Sequence, residues 1–203
     1  MLLYGASGHA RVVKDCVTTS GGEVQAIFDD NPDLIKLDDI PVVGYYDAEH
    51  EPKLPIIVSI GDNLVRKKIV SKIKHAFGKG IHKASTVSAA ASIGEGTVAM
   101  PGSIVNAGAI VGKHCILNSN SIVEHDCELG DFVHISSNVT LCADVIIGEG
   151  THIGAGSTVI PGKQIGKWCV IGAGAVIIQD IPDYSMVVGV PGKIIRTLVK
   201  KTV

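Results

Sequence analysis

From Ile81 onward every sixth residue is aliphatic. The series runs Ile81, Val87, Ile93, Ala99, Val105, Val111, Leu117, Val123, Leu129, Ile135, Leu141, Ile147, Ile153, Val159, Ile165, Ile171 and Ile177, and only Ala99 is not Ile, Val or Leu. The phase never slips. Four places after each step, from Ser85 to Ala175, stands Ser, Ala, Thr, Cys or Val, with Lys163 the exception. Directly after a step there is often glycine, at 94, 112, 130, 148, 154, 166 and 172. A six-residue unit with one large and one small apolar position reads as a short strand and a corner. Three units close a triangular coil of about eighteen residues, and stacked coils bury the aliphatics inside a prism. Backbones pair between coils as parallel sheets with edges only at the ends. Independent strands of a sandwich would not hold one phase for so long.

Composition agrees with thin, stacked layers: aromatics make up 4% of the chain, whereas glycine occurs 24 times. The net charge of −2 and the absence of a long Lys/Arg block argue against nucleic acid as partner. No apolar run reaches membrane-spanning length, so no membrane insertion is expected, and no signal peptide is visible. Five cysteines without CxxC spacing read as reduced thiols of a cytoplasmic protein. Cys115, Cys127 and Cys169 fall on the small inward position and are read as packing residues. Cys142 lies off it, with no base beside it.

Residues 1–80 have a different rhythm and are read as a separate Rossmann-like α/β domain, with the prism domain and a C-terminal tail covering 81–203. MLLYGASGHARVVKDCV predicts a strand at Leu2–Tyr4, a loop through Gly5, Ser7 and Gly8, and a helix over Ala10–Thr19. The loop is GxxG and by itself a weak dinucleotide signal. Small residues before a helix N-terminus nevertheless suit an anion. VQAIFDD predicts a second strand ending in Asp29 and Asp30, where an acid often binds a ribose hydroxyl. LPIIVSIGDN predicts a third strand ending near Gly61, and NLVRKKIVSKIKHAF a helix over 63–77. The loops gather at strand C-termini, where a nucleotide would sit.

Residues eighteen apart should stack. Ser137, Ala155 and Ala173 form a column of small residues, room for a narrow pantetheine arm. His134 and His152 form another, and Ala107, His125 and Ala143 a third. His125 follows inward Val123 by two places, so it should lie near a corner and point outward. Spacing alone leaves it open between a surface histidine and a catalytic one, and leaves His134 open between ligand contact and structure. His114 and His152 are expected at the surface or between subunits, and His75 and His82 at the domain junction.

The motifs YGASGH (4–9), FDD (28–30), SIGDN (59–63), ILNSNSIVEHDCELGDFVHIS (116–136) and VVGVPGK (187–193) carry a resemblance over essentially the whole chain. The chain resembles the bacterial nucleotide-sugar N-acetyltransferases of the hexapeptide-repeat superfamily. It is most similar to the UDP-4-amino-sugar N-acetyltransferases of the bacillosamine pathway, with GDP-perosamine N-acetyltransferases and sialic acid O-acetyltransferases as broader relatives. The resemblance implies a left-handed parallel β-helix, against the usual right-handed crossover rule, and a homotrimer with active sites between subunits. It implies acetyl-CoA as co-substrate, a nucleotide-linked amino sugar as acceptor, and no metal. His125 matches the catalytic base, Asp126 the acid that supports it, and Asn118 an active-site polar contact. His134, Ala155 and Ala173, on the ridge with Gly172, match the acetyl-CoA contacts. Ser7, Gly8, His9, Asp29, Asp30 and Gly61 match the nucleotide-sugar contacts. Two departures stand out: Asp126 replaces a longer Glu, and Leu64 replaces an acid.

The chemistry expected is amine attack on a thioester, which needs positioning and removal of a proton. A neutral imidazole, with a reference pKa near ~6.5, suits that proton. The backbone N–H of Ala143 is the expected oxyanion donor. Because successive strand residues point opposite ways, His125 and Asp126 can pair only if the chain turns sharply there. Other readings are an O-acetyltransferase acting on a sugar or sialic acid hydroxyl, a zinc enzyme built on the His134/His152 column, and a non-catalytic nucleotide-sugar binder.

Overall fold

The computed structural model describes residues 1–199, so the last four residues of the expected second domain lie outside the described residues. The chain opens with β1 (Leu2–Tyr4), α1 (Gly8–Thr19), β2 (Ala26–Phe28), a small hairpin of β3 (Lys36–Leu37) and β4 (Ile40–Pro41), β5 (Ile56–Val58) and α2 (Asn63–Val70). β2, β1 and β5 form a parallel three-stranded sheet, with β1 in the middle. All nine of its residues are buried, as expected of short strands covered on both faces. One side packs against Tyr46, Ile69 and Phe77. On the other side Leu3, Ile27 and Ile57 meet α1 through Ala10, Val13 and Cys16, whose spacing lays them on one helix face.

α1 starts at Gly8, two residues before the expected start. α2 ends at Val70, well short of Phe77. After Ser71 the backbone bonds tighten to i−3, Lys72 to Ile69 and Ile73 to Val70, and the next N–H, of Lys74, goes to the Tyr46 hydroxyl at 2.8 Å instead of to helix backbone.

From β6 (Gly80–Ile81) to β22 (Val176–Ile177) every strand is two residues long and recurs every six. They sort by thirds into three parallel sheets. The first holds β7 (Thr86–Val87) and every third strand after it to β22, the second runs from β8 (Ser92–Ile93), and the third starts at β6. Registers are eighteen residues apart, as in Val105 with Val123 and Val123 with Leu141. The aliphatic steps and the small positions point inward together, and from Val105 to Ile177 the steps are all buried. Cys115, Cys127 and Cys169 are buried there as expected, and Cys142 is half-buried. β23 (Ser185–Val188) extends the third sheet in parallel, and β24 (Lys193–Thr197) folds back on it antiparallel.

The corners depend on a residue that the six-residue count did not single out. Three places after each step, from Gly96 to Gly174, the backbone has φ between 54° and 75°. Glycine, asparagine and aspartate tolerate this left-handed region and occupy most of these positions. The bulky exceptions are His114, Phe132 and Trp168, and all three lie on one corner, between the second and third sheets. The glycines directly after steps have another cause. A Cβ on Gly94 or Gly148 would stand 2.6 Å from backbone of the next coil, so the coils touch there main chain to main chain.

The third sheet's outer face doubles as a layer of the N-terminal domain: Val98, Met100 and Ile116 share a core with α1 and β1. Arg66 of α2 is 1% exposed and fastens the junction. It donates to the prism carbonyls of His114 at 2.9 Å and Phe132 at 3.0 Å. It also donates to Ile60, Gly61 and Asn63 beside it. Asn63 donates to the Gly150 carbonyl at 2.9 Å. Lys67 pairs with Glu149 and lies over the Phe132 and Trp168 rings.

Candidate active site

His125 follows β13 (Ile122–Val123) and precedes β14 (Glu128–Leu129), on the corner between the first and second sheets. Asp126 is in the left-handed conformation, φ 60°, and that turn brings both side chains to one side. The shorter acid reaches: His125 Nδ1 is 2.8 Å from Asp126 Oδ2. A carboxylate only accepts, so Nδ1 carries the proton and Nε2 presents its lone pair outward. Asp126, first through its hydrogen bond and then by charge with Asp144 and Glu124, raises the His125 pKa above its ordinary value. Gly108, one coil below, leaves the space Asp126 occupies; a Cβ there would overlap the carboxylate. Ala107 is exposed and Ala143 half-buried on either side of His125, as the column predicts.

A second group of histidines sits on the third sheet, under the loops of the N-terminal domain. His134 of β15 (His134–Ile135) and His152 of β18 (His152–Ile153) are register partners. Their rings stack with centroids 4.5 Å apart and planes within 10°. Burial, then the neighbouring His152, Arg66 and His9, push His134 down to about 3. Burial and Arg66 push His9 down to about 4. The Nε2 atoms of both rings are buried with no hydrogen-bond partner. A groove of about 850 Å³ opens here between Gly61, Asp62 and Leu64, the two stacked rings, and Trp168, Tyr184 and Arg196. The lone pairs of the two rings lie in nearly parallel, separated planes that share no nearby point, which does not suit joint coordination of one ion. No cluster of three potential metal ligands occurs among the described residues.

The remaining expected site residues divide between these places. Ser7 and Gly8 are exposed at the start of α1, with His9 one residue further. Asp29 is occupied internally: it accepts the Ala6 N–H at 2.7 Å and the Asn31 N–H at 2.9 Å, bracing the glycine loop. Asp30 accepts the Tyr4 hydroxyl at 2.6 Å beside a smaller hollow lined by Tyr45, Tyr46 and Lys72. Asn118 and the column Ser137, Ala155, Ala173 lie along the corner between the third and first sheets, with Ala155 and Ala173 exposed. Gly172 lies beside them; a Cβ on it would come 2.8 Å from Val188. His114 is not superficial: it is 4% exposed, between Phe77 and Phe132 at the domain junction. Burial pushes it down to about 4. His152 lies in the groove, and its Nε2 is 2.8 Å from Ser136 Oγ. His75 lies inside the N-terminal domain, bonded to Tyr46, whereas His82 does sit at the junction, 3.3 Å from Asp15. Arg66 escaped the sequence reading, because nothing in NLVRKK separates the buried cation from the exposed ones.

Within one chain, then, the His125 corner is opposite the sheet that carries His134 and the N-terminal domain, and a single prism holds the two places apart.

A prism of hexapeptide coils with a histidine–acid pair at its corner defines the class of hexapeptide acyltransferases. Comparison with known proteins narrows it. Residues 1–73 match the family described as PglD N-terminal domain, and 126–161 and 144–179 match bacterial transferase hexapeptide (six repeats). A comparison with curated proteins gave no match. Among solved structures, a histidine mutant of perosamine N-acetyltransferase from Caulobacter crescentus, in complex with CoA and GDP-perosamine, is 36% identical. The match covers 95% of each chain with a TM-score of 0.91. The acetyltransferase domain of PglB from Neisseria gonorrhoeae, in complex with acetyl coenzyme A, is 33% identical over 96% of this chain and 98% of that one, TM-score 0.89. WeeI from Acinetobacter baumannii is 28% identical over 96% and 98%, TM-score 0.71. The chain belongs to the nucleotide-sugar N-acetyltransferases of the left-handed β-helix superfamily.

Proposed function

We propose that the protein transfers the acetyl group of acetyl-CoA to the amine of a nucleotide-linked 4-amino sugar, and that it does so as a cytoplasmic homotrimer. The carrying observation is the His125–Asp126 pair, with Nδ1 tied to the carboxylate and Nε2 free to take a proton. The bound acetyl-CoA of the PglB relative and the GDP-perosamine of the Caulobacter relative support the two substrate classes. The trimer has a physical motive: His125 of one prism meets the His134 groove only across a subunit boundary.

In this reading the N-terminal domain, 1–80, holds the nucleotide sugar at Ser7, Gly8, His9, Asp29, Asp30 and Gly61. The prism, 81–203, holds the acetyl donor at His134 and along Ala155, Gly172 and Ala173. Asn118 and the Ala143 N–H face the reacting carbonyl. The amine nitrogen bonds to the thioester carbon, and its proton passes to His125 Nε2. The C–S bond then breaks and the thiolate leaves with that proton. No covalent enzyme intermediate is needed, and Asp126 stabilises the imidazolium. UDP-4-amino-4,6-dideoxy-N-acetylglucosamine, from the motif resemblance, and GDP-perosamine, from the Caulobacter relative, fit about equally. The test is His125→Ala with both sugars. Turnover should fall by about 10²–10⁴-fold, the range for a general base, while acetyl-CoA binding and the trimer persist. Turnover near normal would remove His125 from the reaction.

A further inference from the structure

His152 has no role in the mechanism above, yet it is built into the groove more tightly than a surface histidine requires. Its ring lies flat on His134, 4.5 Å between centroids, and its Nε2 is tied to Ser136 at 2.8 Å. Ser136 is itself nearly buried. His134 is thus held against the next coil, while its own Nε2 stays buried and unpartnered. A neutral imidazole carries one proton, so an unpartnered Nε2 offers a ligand a lone pair in one tautomer and an N–H in the other.

We propose that His152 is a positioning residue for His134: stacked ring on ring and tethered to Ser136, it fixes the plane of the His134 imidazole and the direction of its bare Nε2 at the edge of the groove. This rests on the reading of His134 as a ligand contact. The surroundings favour an uncharged pair. His134 is faced by His152 from β18, Arg66 from α2, His9 from α1 and apolar Ile116 across the sheet. His152 is faced by Arg66 and Asp62 from the start of α2, and by Val170. Arg66 acts on both rings, so a proton on either is disfavoured.

The test compares His152→Ala, His152→Phe and Ser136→Ala in the full chain. The Cε1–H resonance of His134 is followed from pH 4 to 8, and KM and kcat are measured with acetyl-CoA. In the wild type His134 should not titrate above about pH 5, against the usual midpoint near 6.5. His152→Ala admits water and frees the ring, so the midpoint should climb by about one pH unit or more, with KM rising about tenfold and kcat nearly kept. His152→Phe restores a flat partner and should return both toward wild type, and Ser136→Ala should fall between. An unchanged His134 titration in His152→Ala, or Phe and Ala variants that behave alike, would overturn the proposal. The titration needs no substrate. A shifted midpoint in a protein that transfers no acetyl group would sink the proposed reaction and leave the positioning role standing.

Discussion

Replacing Arg66 by Met tests whether the two halves of the chain are one rigid unit. The guanidinium is buried, and every hydrogen-bond acceptor it has is a neutral oxygen: four carbonyls and the Asn63 amide. Two of those bonds, to the His114 and Phe132 carbonyls, cross from α2 to the prism. A hydrogen bond from a charged donor contributes about 1.5–3 kcal/mol net, so losing both removes about 3–6 kcal/mol from the junction. Methionine fills a similar volume but leaves the two carbonyls without this donor. The prism's own core, Val105 to Ile177, is untouched by the change. The docking should therefore loosen before the coils unwind. Trp168 is the only tryptophan and stands at this junction, 5.3 Å from the Lys67 ammonium. Its fluorescence reports docking, whereas far-UV circular dichroism reports the whole chain. In the wild type the two denaturant transitions should coincide. In Arg66→Met the Trp168 transition should move to lower denaturant and separate from the dichroism. Arg66→Lys, with three donors and no planar fork, should fall between. Coincident transitions with the wild-type midpoint in Arg66→Met would refute the claim that these bonds hold the domains together.

Two further outcomes follow from the same geometry. Gly108→Ala places a methyl group where the Asp126 carboxylate sits, at φ 75°; the acid limb of kcat/KM should retreat toward the unperturbed histidine value near ~6.5, and turnover should fall about tenfold. A pH–rate profile checks this, and an unshifted limb would mean that Asp126 does not set the basicity of His125. Burial holds His9 and His114 near 4 and His134 near 3, below an unfolded value of ~6.5, so the unfolded chain binds more protons. Their contribution is complete above ~6.5 and is lost as pH falls through the folded values, at up to about 1.4 kcal/mol per pH unit for each ring. Denaturation midpoints at pH 7 and pH 5 should show the decline, and His114→Phe should make it shallower.

How far the sequence reaches depends on which physical constraint each residue answers. The prism was legible because packing repeats: each coil presents the same triangular section, so Val123 must be followed by Leu141 and Val159 at the same depth. The left-handed corners were equally written in the chain, as Gly, Asn and Asp three places after the steps. They answer to backbone sterics rather than burial, so the apolar rhythm does not mark them. They matter at Asp126. Two neighbouring strand residues would face opposite ways, and pairing needs a sharp turn; the positive φ supplies it and brings both side chains toward solvent, so that even the shorter acid reaches the ring. At Asp29 the structure adds a role that position after a strand does not announce: its carboxylate braces the loop through the Ala6 N–H. Arg66 and His114 were out of reach for a different reason. Their burial arises where α2 meets a corner bearing His114, Phe132 and Trp168, and no local pattern encodes a contact between residues 48 and 66 apart. The bulky residues at that corner carry the clue in hindsight. A side chain forced to positive φ costs about 1–2 kcal/mol, and three on one edge of an otherwise glycine- and aspartate-turned prism mark the place where something else must cover and stabilise them.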